Sequence, residues 1–279
     1  MDADIGNALK PFWLGLLIEL RGVCYYCDDR KYFGDGIMNN GWENSAQAWI
    51  DFMGEQGEHG DWGRQHVLDP VMLARVAAGR FGDALDVGCG EGRFCRMLKA
   101  AGVRATGIDP TPVLLETARK RDPAGDYRLG RAEQLDFAES SFDLVVSYIT
   151  LIDIPDFRAA IREMARVLRP GGSLLVANLT GFTSACAAQG WVKDDKGEYL
   201  HYPVDNYLGE FPFWFEWSGI RIENWHRPLA AYMTTFLEAG LILKFFAEPE
   251  PVSGQAVHQE RARRVPWFVV MDWQKPNIG

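Results

Sequence analysis

The stretch Ala84-Leu-Asp86-Val-Gly88-Cys89-Gly90-Glu91-Gly92-Arg93-Phe94 constrains the fold of this chain more than any other. An apolar strand halts at a glycine-dense turn, and an amphipathic helix begins at once, with Phe94, Leu98 and Ala101 on one face. A turn stripped of side chains lets a ligand lie against the main chain, with helix N–H groups aimed at it. Asp109 ends the next apolar strand, 103–108, where a carboxylate can take two hydrogen bonds from a ribose diol. Together these features describe a nucleoside-type ligand at the carboxyl edge of a parallel sheet.

A dinucleotide fingerprint, G-x-G-x-x-G, needs its third glycine for tight helix–strand packing beneath the pyrophosphate. Here Arg93 stands at that position and Gly92 arrives one residue early. Asp86 leads the turn, and a carboxylate there repels a pyrophosphate but suits a cation. S-adenosylmethionine carries an ammonium, a sulfonium and a ribose, and no phosphate. The spacing favours it over a nicotinamide dinucleotide.

On these residues the chain resembles the class I S-adenosylmethionine-dependent methyltransferases, in the broad group that includes the ubiquinone/menaquinone-type (methyltransferase type 11) enzymes. Asp86-Val-Gly-Cys-Gly-Glu-Gly matches the glycine loop and Gly107-Ile-Asp109-Pro110 the ribose-binding turn. Ala132-Glu-Gln-Leu135-Asp-Phe137 followed by Ser141-Phe-Asp-Leu-Val-Val-Ser147 matches the adenine loop and fourth strand, and Arg166-Val-Leu-Arg-Pro-Gly-Gly172 the turn into the fifth. The likeness runs from Trp42 to about residue 276. It implies an α/β, Rossmann-like, doubly wound sheet of seven strands, mostly parallel with an antiparallel last strand.

The pattern of apolar residues permits that fold. Trp42 to Glu55 reads as a helix, with Ala46, Trp49, Ile50 and Met53 at helical spacing, and Pro70 opens another through residue 79. Strands at 83–87, 103–108, 126–130, 143–148 and 173–178 then alternate with helices at 91–101, 111–121 and 156–168, as parallel β-α-β crossovers require. A helix at 229–239 precedes two strands, 241–246 and 267–273. With no helical period between them, these two are expected as an antiparallel hairpin at the sheet edge. The domain plan is an N-terminal extension at 1–40, a cofactor-binding part with cap helices at 41–179, an insertion at 180–225 and a closing part at 226–279. The extension's apolar run, residues 11–18, is too short to span a bilayer, and Asp2 and Asp4 stand where a secretory leader is basic. It reads either as an added packing helix or as sequence upstream of the natural start, since Met38 opens the family-like part.

With 279 residues there is room for one α/β domain with an elaborated insertion, or for two small domains. A net charge of −9, with no block of Lys or Arg, argues against a polyanion partner, because nucleic-acid affinity rests on phosphate neutralisation. No membrane segment is expected. Five cysteines, an odd number, suggest a reducing cytoplasm. The Cys24-Tyr-Tyr-Cys27 pair lacks a second pair at zinc spacing and reads as idle thiols. Either a monomer or a homodimer fits the sequence.

Site roles follow residue by residue. Gly88, Cys89 and Gly90 bring backbone against the methionine moiety, with Asp86 orienting its ammonium. Asp109, beside Pro110, grips the ribose or caps the helix starting near Thr111. Ala132 and Glu133 line the adenine pocket, although Arg131 stands where relatives often carry an acidic residue. Ser147 and Tyr148 end the fourth strand and border the transferable methyl. Relatives often carry a histidine just beyond; Asp153 either replaces it as a polar group or caps the next helix. Trp42 belongs to a helix that folds over the cofactor in similar proteins, and Arg64 either holds the methionine carboxylate or makes a surface ion pair.

The insertion crowds Trp191, Tyr199, Tyr202, Tyr207, Phe211, Phe213, Trp214, Phe215, Trp217 and Trp225 together. Residues 198–202 and 213–217 are expected to pair as an antiparallel lid over the cofactor. The lid would form a pocket suited to a flat, apolar, aromatic or cationic small-molecule acceptor. His226, then His201, then Tyr148 are the candidate bases for an O–H or N–H acceptor. No carboxylate set resembles the metal site of catechol O-methyltransferases, so metal-independent methyl transfer is expected, with O- or N-acceptors favoured. C-methylation of a quinone-type precursor and a non-catalytic cofactor-binding subunit are the rival readings.

Overall fold

The computed structural model describes residues 40–57, 60–186 and 190–277. The expected extension up to residue 39, with Cys24 and Cys27, lies outside the described residues.

The central sheet has seven strands. They are β1 (Asp83–Val87), β2 (Arg104–Asp109), β3 (Asp126–Leu129), β4 (Phe142–Tyr148), β5 (Leu168–Leu179), β10 (Ile242–Ala247) and β11 (Phe268–Gln274), in the order β10-β11-β5-β4-β1-β2-β3. Neighbours from β5 to β3 run parallel, and β11 is antiparallel to both β5 and β10. The chain leaves β1 toward β2 and β3, then returns to β1's other side with β4. That reversal opens a crevice at the carboxyl ends of β1 and β4, where ligands bind open α/β sheets.

Alternation along the strands splits the core into two layers. Leu85, Val87, Val145, Leu174 and Val176 face one side. There α5 (Phe157–Val167) brings Phe157, Ile161 and Met164, and α7 (Leu229–Glu238) brings Tyr232 and Phe236. Ala84, Leu144, Val146, Leu175 and Val270 face the other, under α2 (Asp69–Ala78) with Met72 and Val76 and α3 (Arg93–Ala100) with Phe94 and Leu98. Asp156 caps α5 by accepting the Ala159 N–H at 2.9 Å, worth about 1 kcal/mol. Between α1 (Trp42–Glu55) and α2 lies a π-helical turn, Arg64–Leu68. α4 (Pro112–Arg121) joins β2 to β3.

Two expectations need correction. The strands at 241–246 and 267–273 do pair antiparallel, but α8 (Ala256–Arg264) lies between them. This helix buries none of its residues, so no apolar period marks it in the sequence. The insertion does not pair 198–202 with 213–217. Instead β6 (Val192–Lys193) pairs with β7 (Tyr199–His201), and β8 (Phe211–Trp217) with β9 (Ile220–His226). The second hairpin closes through Ser218 (φ 46°) and Gly219 (φ 78°), the pair of positive φ values that a tight two-residue turn demands. No described helix is long and apolar enough to cross a membrane.

Candidate active site

The crevice widens into a cleft with about 1040 Å³ of free space, its mouth included. Its floor is the turn after β1. Gly88 has φ 76°, and a Cβ there would lie 2.2 Å from the Thr150 side chain. Gly90 has φ 55°, and a Cβ would meet nothing within 4 Å, so its bare backbone faces the cleft. The Gly90 N–H donates to Asp109 Oδ2 at 2.9 Å and the Thr111 N–H to Oδ1 at 2.8 Å. Asp109 thus combines both expected roles: it braces the start of α4 and keeps a further lone pair on each oxygen, at 6% exposure, on the cleft wall. Burial raises its pKa.

Asp86 is 1% exposed. Its Oδ2 accepts from Cys95 Sγ at 3.4 Å, while Oδ1 has no partner among the described residues. Burial, with the neighbouring carboxylates of Asp109 and Glu91 adding to it and Arg93 opposing it, pushes this carboxyl up to about 7. A buried carboxylate oxygen left unpaired beside a side-chain-free turn fits an incoming ammonium. Gly90's open face fits the main-chain approach of a methionine moiety. On both counts these residues suit S-adenosylmethionine.

The roof comes from α1 and the π-helical turn. Trp42 and Trp49 meet edge to face with centroids 5.5 Å apart, and both line the cleft with Met53. The Arg64 guanidinium lies 5.0 Å from the Trp49 ring and 5.8 Å from the Tyr148 ring. It also pairs with Asp61. Burial pushes the Asp61 carboxyl up, but Arg64 outweighs it and holds the group below the usual carboxylate range. The ring of Tyr148 faces the cleft while its hydroxyl donates to Asp69 Oδ1 at 2.8 Å, and Asp69 is also paired with Arg93. Burial and Asp69 hold the Tyr148 phenol well above its ordinary pKa. Its proton is committed to Asp69.

The chain after β4 is strained. Ile149, a β-branched residue lining the cleft, has φ 53°, a conformation costing about 1–3 kcal/mol. It turns the backbone so that Thr150 and Asp153 face inward. Asp153 ends the 3-10 turn Leu151–Asp153 and accepts hydrogen bonds from the Asn224 amide and the Trp42 indole. Burial pushes its carboxyl up to about 8.

The structure brings Asp86, Gly88, Cys89, Gly90, Asp109, Pro110, Ala132, Glu133, Trp42, Arg64 and Tyr148 to one cleft. Arg131 lies there too, in an ion pair with Glu133 at 3.3 Å. Ser147 is fully buried and does not line the cleft. Neither histidine candidate is brought there. His226 is 0% exposed, with Nδ1 2.8 Å from the Ser184 hydroxyl and Nε2 2.9 Å from the Tyr207 carbonyl. The carbonyl can only accept, so Nε2 carries the proton and neutral Nδ1 accepts from Ser184. Burial lowers its pKa. His201 is exposed on β7.

The insertion's described residues do not line the cleft either. The β8–β9 hairpin packs behind α1: Trp217 meets Trp49 at 6.4 Å, and Ser45 Oγ bonds the Arg221 backbone at both N–H and C=O, 2.9 Å each. The expected aromatic lid is a buttress for the roof. What sequence reasoning left undecided was Asp153. Its signal was an acidic residue between apolar neighbours, in Leu151-Ile-Asp153-Ile, at the edge where a polar group must face something.

A family profile described as "Methyltransferase domain" matches residues 85–176. The chain is 32% identical to the malonyl-[acyl-carrier protein] O-methyltransferase of Enterobacter lignolyticus over 70% of its own length and 73% of that protein's. It is 36% identical to the ubiquinone biosynthesis O-methyltransferase of Xanthomonas oryzae over 51% and 60% of the two lengths. Another curated relative is spanned over only 46% of its length. A crystal structure described as that of a "putative S-adenosylmethionine dependent methyltransferase from Listeria monocytogenes" superposes with a TM-score of 0.65 at 25% identity, covering 70% of this chain and 90% of that one.

Proposed function

This chain belongs to the class I S-adenosylmethionine-dependent methyltransferases, and from that premise we propose that it methylates a heteroatom, oxygen foremost, of a small molecule bound under the α1 roof. The observation that carries this reading is the unpaired Asp86 Oδ1, buried beside the glycine turn and across the cleft edge from Asp109. Asp86 takes the donor's ammonium, Asp109 its ribose hydroxyls, and Ala132 and Glu133 flank its adenine. Arg64 keeps N–H groups beyond those given to Asp61 and takes the amino-acid carboxylate.

The bound cofactor supplies a methyl group already activated by the sulfonium. What the protein adds is alignment and exclusion of water, for which a bimolecular step gains most. Trp42, Trp49, Met53 and Tyr148 provide apolar walls that hold an acceptor and keep water out. The cleft is also lined beyond its nucleoside-binding edge, by Trp49, Met53, Asp153 and Pro155, which supports an acceptor pocket over mere cofactor binding. The curated relatives named above are O-methyltransferases by name, which supports an O-acceptor here.

Calorimetric titration with S-adenosylhomocysteine and with NADH tests the premise. Micromolar binding of the former and none of the latter is expected. Binding of NADH alone would overturn the reading.

A further inference from the structure

We propose that Asp153 is the catalytic proton acceptor of this cleft, and that the acceptor it selects is a neutral hydroxyl acid of the phenol class, not a carboxylate. The proposal rests on the methyl-transfer reading above and narrows its substrate.

Asp153 is fixed in place. The buried guanidinium of Arg227 donates to the carbonyls of Leu151 (2.9 Å), Ile154 (2.6 Å) and Pro155 (2.9 Å), clamping the turn that carries it. The Trp42 indole and the Asn224 amide, one from the roof and one from β9, donate to its carboxyl. Both donors are neutral, so they orient the group without neutralising it. The other acids of the cleft are committed. Glu91 pairs with Arg96 (2.9 Å) and Arg121 (3.0 Å), Glu133 with Arg131, and Asp109 holds two backbone N–H groups. Asp86 is reserved for the donor's ammonium.

The same inventory disfavours a carboxylate acceptor. Arg64 is taken up by Asp61 and the donor's carboxylate, Arg93 by Asp69 and Arg131 by Glu133, so above pH 8, where Asp153 is ionised, a second anion beside it finds repulsion and no fresh cation. A flat neutral ring meets Trp42 and Trp49 instead, and can present its hydroxyl to Asp153. The O–H bond breaks with its proton going to an Asp153 oxygen. The freed pair forms the O–CH3 bond as the S–CH3 pair stays on the donor's sulfur, and the proton then leaves to water. A base whose pKa lies near the working pH is the efficient kind. Burial raises Asp153 to about 8, with Asp109 raising it further, Arg64 lowering it, and Trp42 and Asn224 stabilising its anion.

The test uses two ligands of one shape, 4-methylphenol and 4-methylbenzoate, at pH 9, where Asp153 is ionised and the phenol still neutral, with the full chain saturated with S-adenosylhomocysteine. The phenol is expected to bind at least tenfold tighter than the benzoate, and Asp153→Asn to abolish that preference by admitting the benzoate. With S-adenosylmethionine, 4-methylphenol should be methylated with kcat rising toward pH 8. Asp153→Asn should lose at least 100-fold in kcat together with the pH dependence, Asp153→Glu should recover part of it, and both variants should bind S-adenosylhomocysteine within threefold of wild type. A benzoate that binds as well as the phenol, no phenol binding or methylation, or full activity in Asp153→Asn would overturn the proposal. Each of these leaves the cofactor assignment standing, whereas failure of S-adenosylhomocysteine to bind the wild type sinks the underlying reading instead.

Discussion

Asp86 illustrates how binding function is set against stability at a single residue. The folded protein holds the Asp86 proton far more tightly than an unfolded chain, whose aspartates titrate near 3.8. The Asp86 contribution to stability is therefore fully present below that value and is lost as pH rises toward about 7. Asp86→Asn removes the buried charge, so the thermal midpoint of the ligand-free protein at pH 8 should rise by about 5 °C. The same variant should lose at least tenfold in S-adenosylhomocysteine affinity; a lowered midpoint with intact affinity would refute this role. Asp109→Ala should weaken the same ligand by about 2–4 kcal/mol, the loss of charged hydrogen bonds to two hydroxyls, read by calorimetry. Unchanged affinity would remove Asp109 from the site. Both carboxylates were legible in the sequence because the strand-turn-helix pattern fixes where their strands end. Asp153 stood out there only as a choice between a polar group at the site and a helix cap, because its role depends on Asn224, 71 residues away in the chain, and on a turn held by Arg227.

Elements were legible to the degree that they bury a face. α1, α3 and α5 carry apolar stripes and lie close to where periodicity puts them, whereas α8 buries none of its residues and left no trace. Strand partners in the insertion were misjudged for a related reason. Aromatic residues occur on both faces of 211–217, so register rests on the Ser218–Gly219 turn and not on hydrophobic alternation. The consequence reaches the site, since β9 anchors α1 through Ser45. Ser45→Ala leaves the Arg221 backbone groups short of a partner and should cost about 1–2 kcal/mol in denaturant unfolding. It should also speed amide exchange in α1 and raise the Kd for S-adenosylhomocysteine. Unaltered exchange in α1 would show that the roof does not depend on this contact.

Across the whole molecule, alternation of elements marks a mostly parallel sheet, and the glycine turn and Asp109 mark its carboxyl edge as the cofactor side, whereas the strand order and the β1/β4 switch point emerge only in the fold. The acceptor side could not, because it is built by α1 and the turn after β4, with the insertion standing behind the helix. His226 belongs to that supporting layer, joining α6 (Gly181–Ala185) through Ser184 to β9 and to Tyr207. Its pKa is lowered by burial, so protonation favours unfolding and its contribution is lost as pH falls below about 6.5. His226→Ala should cost about 2–4 kcal/mol by cavity and unpaired polar groups, and lower activity only in proportion to the folded fraction. A stable but inactive variant would return His226 to the chemistry. The most direct measurement is a crystal structure of the complex with S-adenosylhomocysteine. The account predicts the ligand's ammonium on Asp86 Oδ1, its ribose hydroxyls on Asp109 and Asp153 facing the space beside its sulfur. A ligand seated elsewhere, or with neither carboxylate in contact, would contradict it.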